Sequence, residues 1–186
     1  MFRRLMLKII SRIFRSLSSE VLSWLLTDFY GIVILHVTDN NVSFYHALRV
    51  KQSFQTTFAT FGHIDIVVNN AGIMNDRFWE LEVDINVNGV IRGTLLAQRF
   101  MGTDRGGQGG IVVNIGSNVS INPYASVPIY SATKAAIVNF TRAFGVMALC
   151  PSATDSKLLG DVSKQLLWAR YVDAWLRDVA SSVPQR

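Results

Sequence analysis

A chain of 186 residues that is 49% apolar is long enough for one domain with a real core and too apolar to be disordered. Its single cysteine, Cys150, excludes an internal disulfide, and His36, His46 and His63 show no metal-ligand spacing. The net charge of +5 comes from Arg3, Arg4, Lys8, Arg12 and Arg15, all ahead of the first acid at Glu20; the balanced remainder offers no nucleic-acid surface.

Residues 1–30 begin with Phe2, Leu5, Met6, Ile9, Ile10, Ile13, Phe14 and Leu17 at helical spacing, which predicts a basic amphipathic helix reaching about Leu26. Three readings compete for it: peripheral contact with an anionic membrane through residues 1–26, a mitochondrial-type targeting helix, or sequence that replaces the usual start of the fold and has no role of its own. Its apolar runs fall far short of the roughly 18 residues of a membrane span.

Residues 31–186 read as one domain of alternating strands and helices. Gly31 to Val37 is a short apolar, β-branched run, and residues 41–61 suit a helix with Phe44, Ala47, Leu48, Phe54 and Phe58 as a broken apolar face. Ile64 to Asn69 is a buried strand ending in Asn69-Asn70-Ala71-Gly72. Residues 80–100 form a long helix, residues 102–110 a loop with five glycines, and Ile111 to Ile115 a second clear strand. Residues 130–144 suit a helix whose apolar members are Ala132, Ala135, Ala136, Val138 and Phe140; a strand-like run covers 146–150, and residues 158–179 read as helical. Strands apolar throughout and alternating with helices indicate a parallel sheet covered on both faces, with ligands bound beyond the carboxyl ends of its strands.

Tyr130 and Lys134 are four residues apart, one helical turn, so phenol and ammonium share a helix face. A phenol with a free pKa of about 10 is a poor base, and a fixed positive charge beside it favours the phenolate. Ser117, at a strand end thirteen residues upstream, brings a hydroxyl to hold a substrate oxygen. Alone, the pair reads as a surface helix with a solvated lysine. With Asn69 to Gly72 and Ser117 at the same sheet edge, it reads as a site suited to taking a proton from an alcohol.

Asn69-Asn70-Ala71-Gly72, Asn86 within Asn86-Val87-Asn88-Gly89, Ser117 and Tyr130-x-x-x-Lys134 resemble, in order and spacing, the short-chain dehydrogenase/reductase family. The resemblance covers about 64–144, and residues 111–141 look most like the 15-hydroxyprostaglandin dehydrogenase and insect alcohol dehydrogenase branch. It implies an α/β fold built on a Rossmann-like doubly wound parallel sheet, and NAD-dependent oxidation of a secondary alcohol, with NADP left open. Tyr130 would be the general base, Lys134 would bind the nicotinamide ribose and lower the phenol pKa, and Ser117 would orient the substrate oxygen. Asn86 would hold a water in the proton relay, and Asn70, Ala71 and Gly72 would line the adenosine side. A cytoplasmic enzyme is implied, with a mitochondrial or membrane-associated place left open. Helices 80–100 and 130–144 would pair across the axis of a homodimer or tetramer, the alternative being that they pack on the sheet.

The chain departs from the family in three places. The first βαβ unit is missing or replaced: no G-x-G-x-x-G occurs, and His36 precedes Val37 where the family has Asp. Only Gly145 separates the expected helix end at Phe144 from the apolar run that begins at Val146, which reads as too short a link and as an internal deletion of about ten residues against the family's usual length. Pro151-Ser152 stands where the family has Pro-Gly. Besides the active dehydrogenase working on an alcohol or ketone, two alternatives follow: a truncated member that does not hold its cofactor, and a non-enzymatic protein held at a membrane by the basic helix.

Overall fold

The computed structural model describes residues 32–35, 44–151, 162–167 and 172–182. The basic helix expected over residues 1–30, the segment at His36 and Val37, and Ser152 lie outside these residues. Four apolar runs pair in parallel: β1 (Ile32–Leu35), β2 (Ile66–Asn69), β3 (Ile111–Ile115) and β4 (Met147–Leu149). Their order is β1-β2-β3-β4, with Ile32 opposite Ile66, Ile66 opposite Ile111 and Val113 opposite Met147. The crossovers are α1 (Phe44–Phe61), then α2 (Trp79–Val83) running through a π-turn (Asp84–Gly89) into α3 (Val90–Met101), then α4 (Pro128–Phe144). Each crossover advances one strand in the same direction, so right-handed connections lay the helices along one face. This is an α/β fold, the described strands forming part of a Rossmann-like parallel sheet.

Alternation along the strands sorts the core into two layers. Val33 and Val67 meet Val50 and Phe54 of α1 and Ala97 and Met101 of α3. Ile66, Val68 and Val113 form the cluster on the other face, with Ile111, Ile115 and Leu149 beside it. Beneath the helices the sheet is also polar. Asn69 donates to Asn114 Oδ1 (2.7 Å) and to Thr94 Oγ1 (3.1 Å), and Asn114 donates to Thr141 Oγ1 (3.0 Å). These four side chains tie β2, α3, β3 and α4 together, and all are buried.

Of the apolar members of α4, Ala132 and Ala136 are exposed, while Tyr130, Thr133, Lys134, Ile137 and Thr141 face inward. Hydroxyls of threonine satisfied within the structure make that face compatible with the polar layer below it; Thr133 donates to Tyr130 O and Thr141 to Ile137 O. The link after Phe144 also closes. Gly145 takes the left-handed conformation (φ 77°), its N–H and that of Val146 both donate to Thr141 O, and β4 starts one residue later. Beyond β4, the described helices are α5 (Val162–Gln165) and α6 (Val172–Ser182), the second running past the expected end at Val179.

Candidate active site

The site grows from the start of α4. Pro128, the first helical residue, has no N–H to satisfy, and the next two N–H groups belong to Ile129 and Tyr130. Asp76, from the short turn after β2, accepts both, at 2.8 and 2.9 Å. A carboxylate at a helix N-terminus also meets the positive end of the helix dipole. Tyr130 is therefore held by its own backbone.

One turn on, Lys134 is buried with Nζ donating to Ile115 O at the end of β3 (3.0 Å) and lying 5.7 Å from the centre of the Tyr130 ring. Ser117, two residues beyond β3, caps the following 3-10 turn: its hydroxyl accepts from Val119 N (3.4 Å), donates to Asn118 Oδ1 (3.1 Å) and lies beside the Tyr130 phenol. Met74, Val119, Tyr124 and Val127 surround the tyrosine, and Leu166 after α5 and Trp175 of α6 close the cluster. Ser126 donates to Asp178 of α6 at 2.6 Å, which pins that helix to the loop.

Asn86 sits in the π-turn, where one extra residue per turn re-aims side chains. Its Oδ1 accepts from Ile73 N (2.9 Å), and its Nδ2 donates to Ile73 O (2.8 Å) and Thr133 Oγ1 (3.0 Å). The amide thus clamps the chain just after Gly72 onto α4. Gly72 has reason to lack a side chain, because a Cβ there would stand 3.1 Å from Lys134 Nζ and 3.4 Å from Asn86 Oδ1. Asn70 and Ala71 precede it along the same sheet edge, Ala71 buried and Asn70 donating its N–H to Val68 O.

Burial sets the proton affinities. It pushes Tyr130 up to about 12, with the Glu82 carboxyl adding to the rise and the Ser117 hydroxyl opposing it. It brings Lys134 down to about 8, opposed by Glu82 and Cys150. Without further positive charge, the phenol stays neutral near pH 7.

The structure brings Gly72, Asn86, Ser117, Tyr130 and Lys134 together on four chain segments. Asp76, Glu82 and Thr133 also belong to this site and were not among the residues singled out in the sequence. Glu82 had a readable signal, being four residues before Asn86 on a helical stretch. Asp76 had none, since its partners lie more than fifty residues away. A cavity of about 390 Å³ lined by Lys51, Phe58, His63, Arg99, Phe100 and Arg105 lies at the opposite, amino-terminal edge of the strands and is separate from this chemistry. Among the described residues there is no cluster of metal ligands, and no helix is long and apolar enough to cross a membrane.

Residues 37–166 match the family described as short chain dehydrogenase. The 15-hydroxyprostaglandin dehydrogenase [NAD(+)] of Mus musculus is 33% identical over 136 residues, covering 67% of this chain and 51% of the relative. Alcohol dehydrogenase 1 of Ceratitis capitata is 33% identical over 127 residues, covering 62% and 49%. This chain therefore spans about half the length of these relatives. In fold it resembles a short chain dehydrogenase/reductase from Burkholderia phymatum in complex with NAD, with a TM-score of 0.58 at 20% identity over 74% of this chain and 57% of that one. It also resembles a 3-ketoacyl-(acyl-carrier-protein) reductase from Brucella melitensis complexed with NADH, with a TM-score of 0.57 at 24% identity over 75% and 68%.

Proposed function

The chain belongs to the short-chain dehydrogenase family, and we propose on that footing that it is an NAD-dependent oxidoreductase acting on the CH–OH group of a secondary alcohol, or on the ketone in reverse. The observation that carries the reading is the meeting of the Ser117 hydroxyl, the Tyr130 phenol and the buried Lys134 ammonium beyond the carboxyl ends of the strands.

The residues present suit the nicotinamide half of the cofactor. An ammonium has three donors, and Lys134 donates one of them to Ile115 O, which leaves two for ribose hydroxyls. Asn70, Ala71 and Gly72 would line the cofactor's adenosine side. No Gly-rich turn for the pyrophosphate occurs in the sequence. When bound, NAD supplies the hydride acceptor.

In this reading Ser117 orients the alcohol oxygen and Tyr130 accepts its proton. Bringing a phenol from about 12 to near 7 takes about 7 kcal/mol of preference for the anion. Charged Lys134 next to the ring supplies part of it, and the Ser117 hydroxyl, turned from Asn118 to the phenolate, another part. Asn86 keeps the loop after Gly72 against α4, so that Lys134 and the loop hold their spacing. NAD rather than NADP follows the name of the mouse relative.

The test is a thermal melt of the purified chain titrated with NAD and NADH, followed by NADH formation with a panel of secondary alcohols. A cofactor bound only by the native state stabilises it by mass action, by about 2.7 kcal/mol at a hundred times its Kd, and so raises the melting temperature. Tyr130→Phe is expected to lower turnover by about 10²–10⁴-fold and to keep the cofactor shift. No shift at millimolar cofactor would instead identify a family member that does not hold its cofactor.

A further inference from the structure

Asp76 and Glu82 are both fully buried and in contact beneath the first turn of α4. Asp76 has both oxygens committed, Oδ2 to Ile129 N and Oδ1 to Tyr130 N. Glu82 Oε2 accepts from Asn75 N at 3.1 Å, while Oε1 meets no donor. A buried carboxylate oxygen with no donor is unfavourable, and two carboxylates in contact repel. One proton on Glu82 Oε1 removes both problems. It makes that oxygen a donor that the neighbouring Asp76 carboxylate can accept, and satisfies the buried pair.

We propose that Asp76 and Glu82 share one proton and act as a positioning pair for Tyr130, Glu82 carrying the proton and Asp76 gripping the helix start. The role in turnover rests on Tyr130 being the proton acceptor; the shared proton and the grip do not. Among the described residues, the titratable groups facing Glu82 are Asp76 from the turn before α2, and Lys134 and Tyr130 from α4. Asp84 of the π-turn is engaged with Arg92 (3.1 Å), and α5, which packs on the Asp76 turn, carries Lys164 with its side chain exposed. Burial, with the Asp76 charge behind it, raises Glu82 to about 8, so the proton is held at neutral pH. Above that value the pair would carry two charges, and its hold on the Ile129 and Tyr130 N–H groups would loosen.

Three readouts test this, two of them without turnover. Infrared spectroscopy at neutral pH should show a protonated carboxyl C=O band that Glu82→Gln lacks. Amide exchange at Ile129 and Tyr130 should accelerate in Glu82→Ala, where Asp76 loses its donor, and return to the native rate in Glu82→Gln, whose amide is a permanent donor. In the active enzyme, Asp76→Asn should lower kcat on the order of 10²-fold with little change in cofactor KM, as displacement of a positioned group does. Glu82→Gln should rescue the kcat lost in Glu82→Ala, and should hold it through the alkaline range where the native enzyme declines. The proposal is overturned if no protonated carboxyl is seen, or if Glu82→Gln behaves as Glu82→Ala in exchange. A chain with neither turnover nor cofactor shift would refute the dehydrogenase reading alone, because band and exchange still report on the pair.

Discussion

Gly72 shows how little space the site leaves at the scale of one residue. Its missing Cβ leaves room for Lys134 Nζ, which ends a flexible side chain, so an added methyl is accommodated by moving the lysine. Gly72→Ala should therefore lower kcat/KM by about tenfold while stability changes by less than about 1 kcal/mol. Steady-state kinetics beside a urea melt would check it; a large loss of stability with native kinetics would contradict it. Gly116 is different, because a Cβ there would approach Cys150 Sγ at 2.9 Å, Ser120 Oγ at 3.3 Å and Val138 Cγ2 at 3.4 Å. Those neighbours belong to the packing around β3, and Gly116→Ala is expected to cost about 1–3 kcal/mol by overpacking.

Between elements, the organising feature is the polar layer under the helices. Asn114 lies in β3 and bridges Asn69 of β2 to Thr141 of α4. An apolar replacement such as Asn114→Val takes the acceptor Oδ1 from Asn69 and Thr94 and the donor Nδ2 from Thr141, and the expected loss is about 2–3 kcal/mol, read as a lower urea midpoint with an unchanged slope. The double change Asn114→Val with Thr141→Val should cost less than the sum of the two single changes, since it removes partners together. The same layer explains why α4 turns Thr133 and Thr141 inward and Ala132 and Ala136 outward. Periodicity placed Tyr130 and Lys134 on one face, but an alanine-rich face is equally able to meet solvent or sheet.

Across the whole molecule, the buried titrating groups of the site dominate the dependence of stability on pH. Glu82 is raised from 4.5 to about 8, so the native state holds the extra proton in that window and stability falls as pH rises through it. Lys134 is lowered from 10.5 to about 8, so the native state holds fewer protons above 8 and stability recovers toward 10.5. Tyr130, raised from 10.0 to about 12, turns the curve down again above 10. Melting temperature against pH should thus pass through a minimum near pH 8, with the acid-side fall absent in Glu82→Gln and the alkaline recovery absent in Lys134→Met. A steady rise from pH 5 to 8 would contradict it.

Local rules made much of this legible. Apolar β-branched runs marked β2 and β3, and the spacing of Tyr130 and Lys134 followed from the helical repeat. Glycines and asparagines at strand ends marked the sheet edge where the candidate site lies. These features depend on neighbours within one or two turns, and the sequence by itself determined them. The clamp of Asp76 on Tyr130, the proton held by Glu82, the two hydrogen bonds between Asn86 and Ile73 and the outward alanines of α4 were decided only by the tertiary structure. Each depends on a partner reached across the fold, and a polar residue's chemistry is set by the donor, acceptor or dielectric it finds there. The closure at Gly145 belongs with them: a two-residue link suffices because a left-handed glycine and a shared acceptor on Thr141 turn the chain directly back into the sheet.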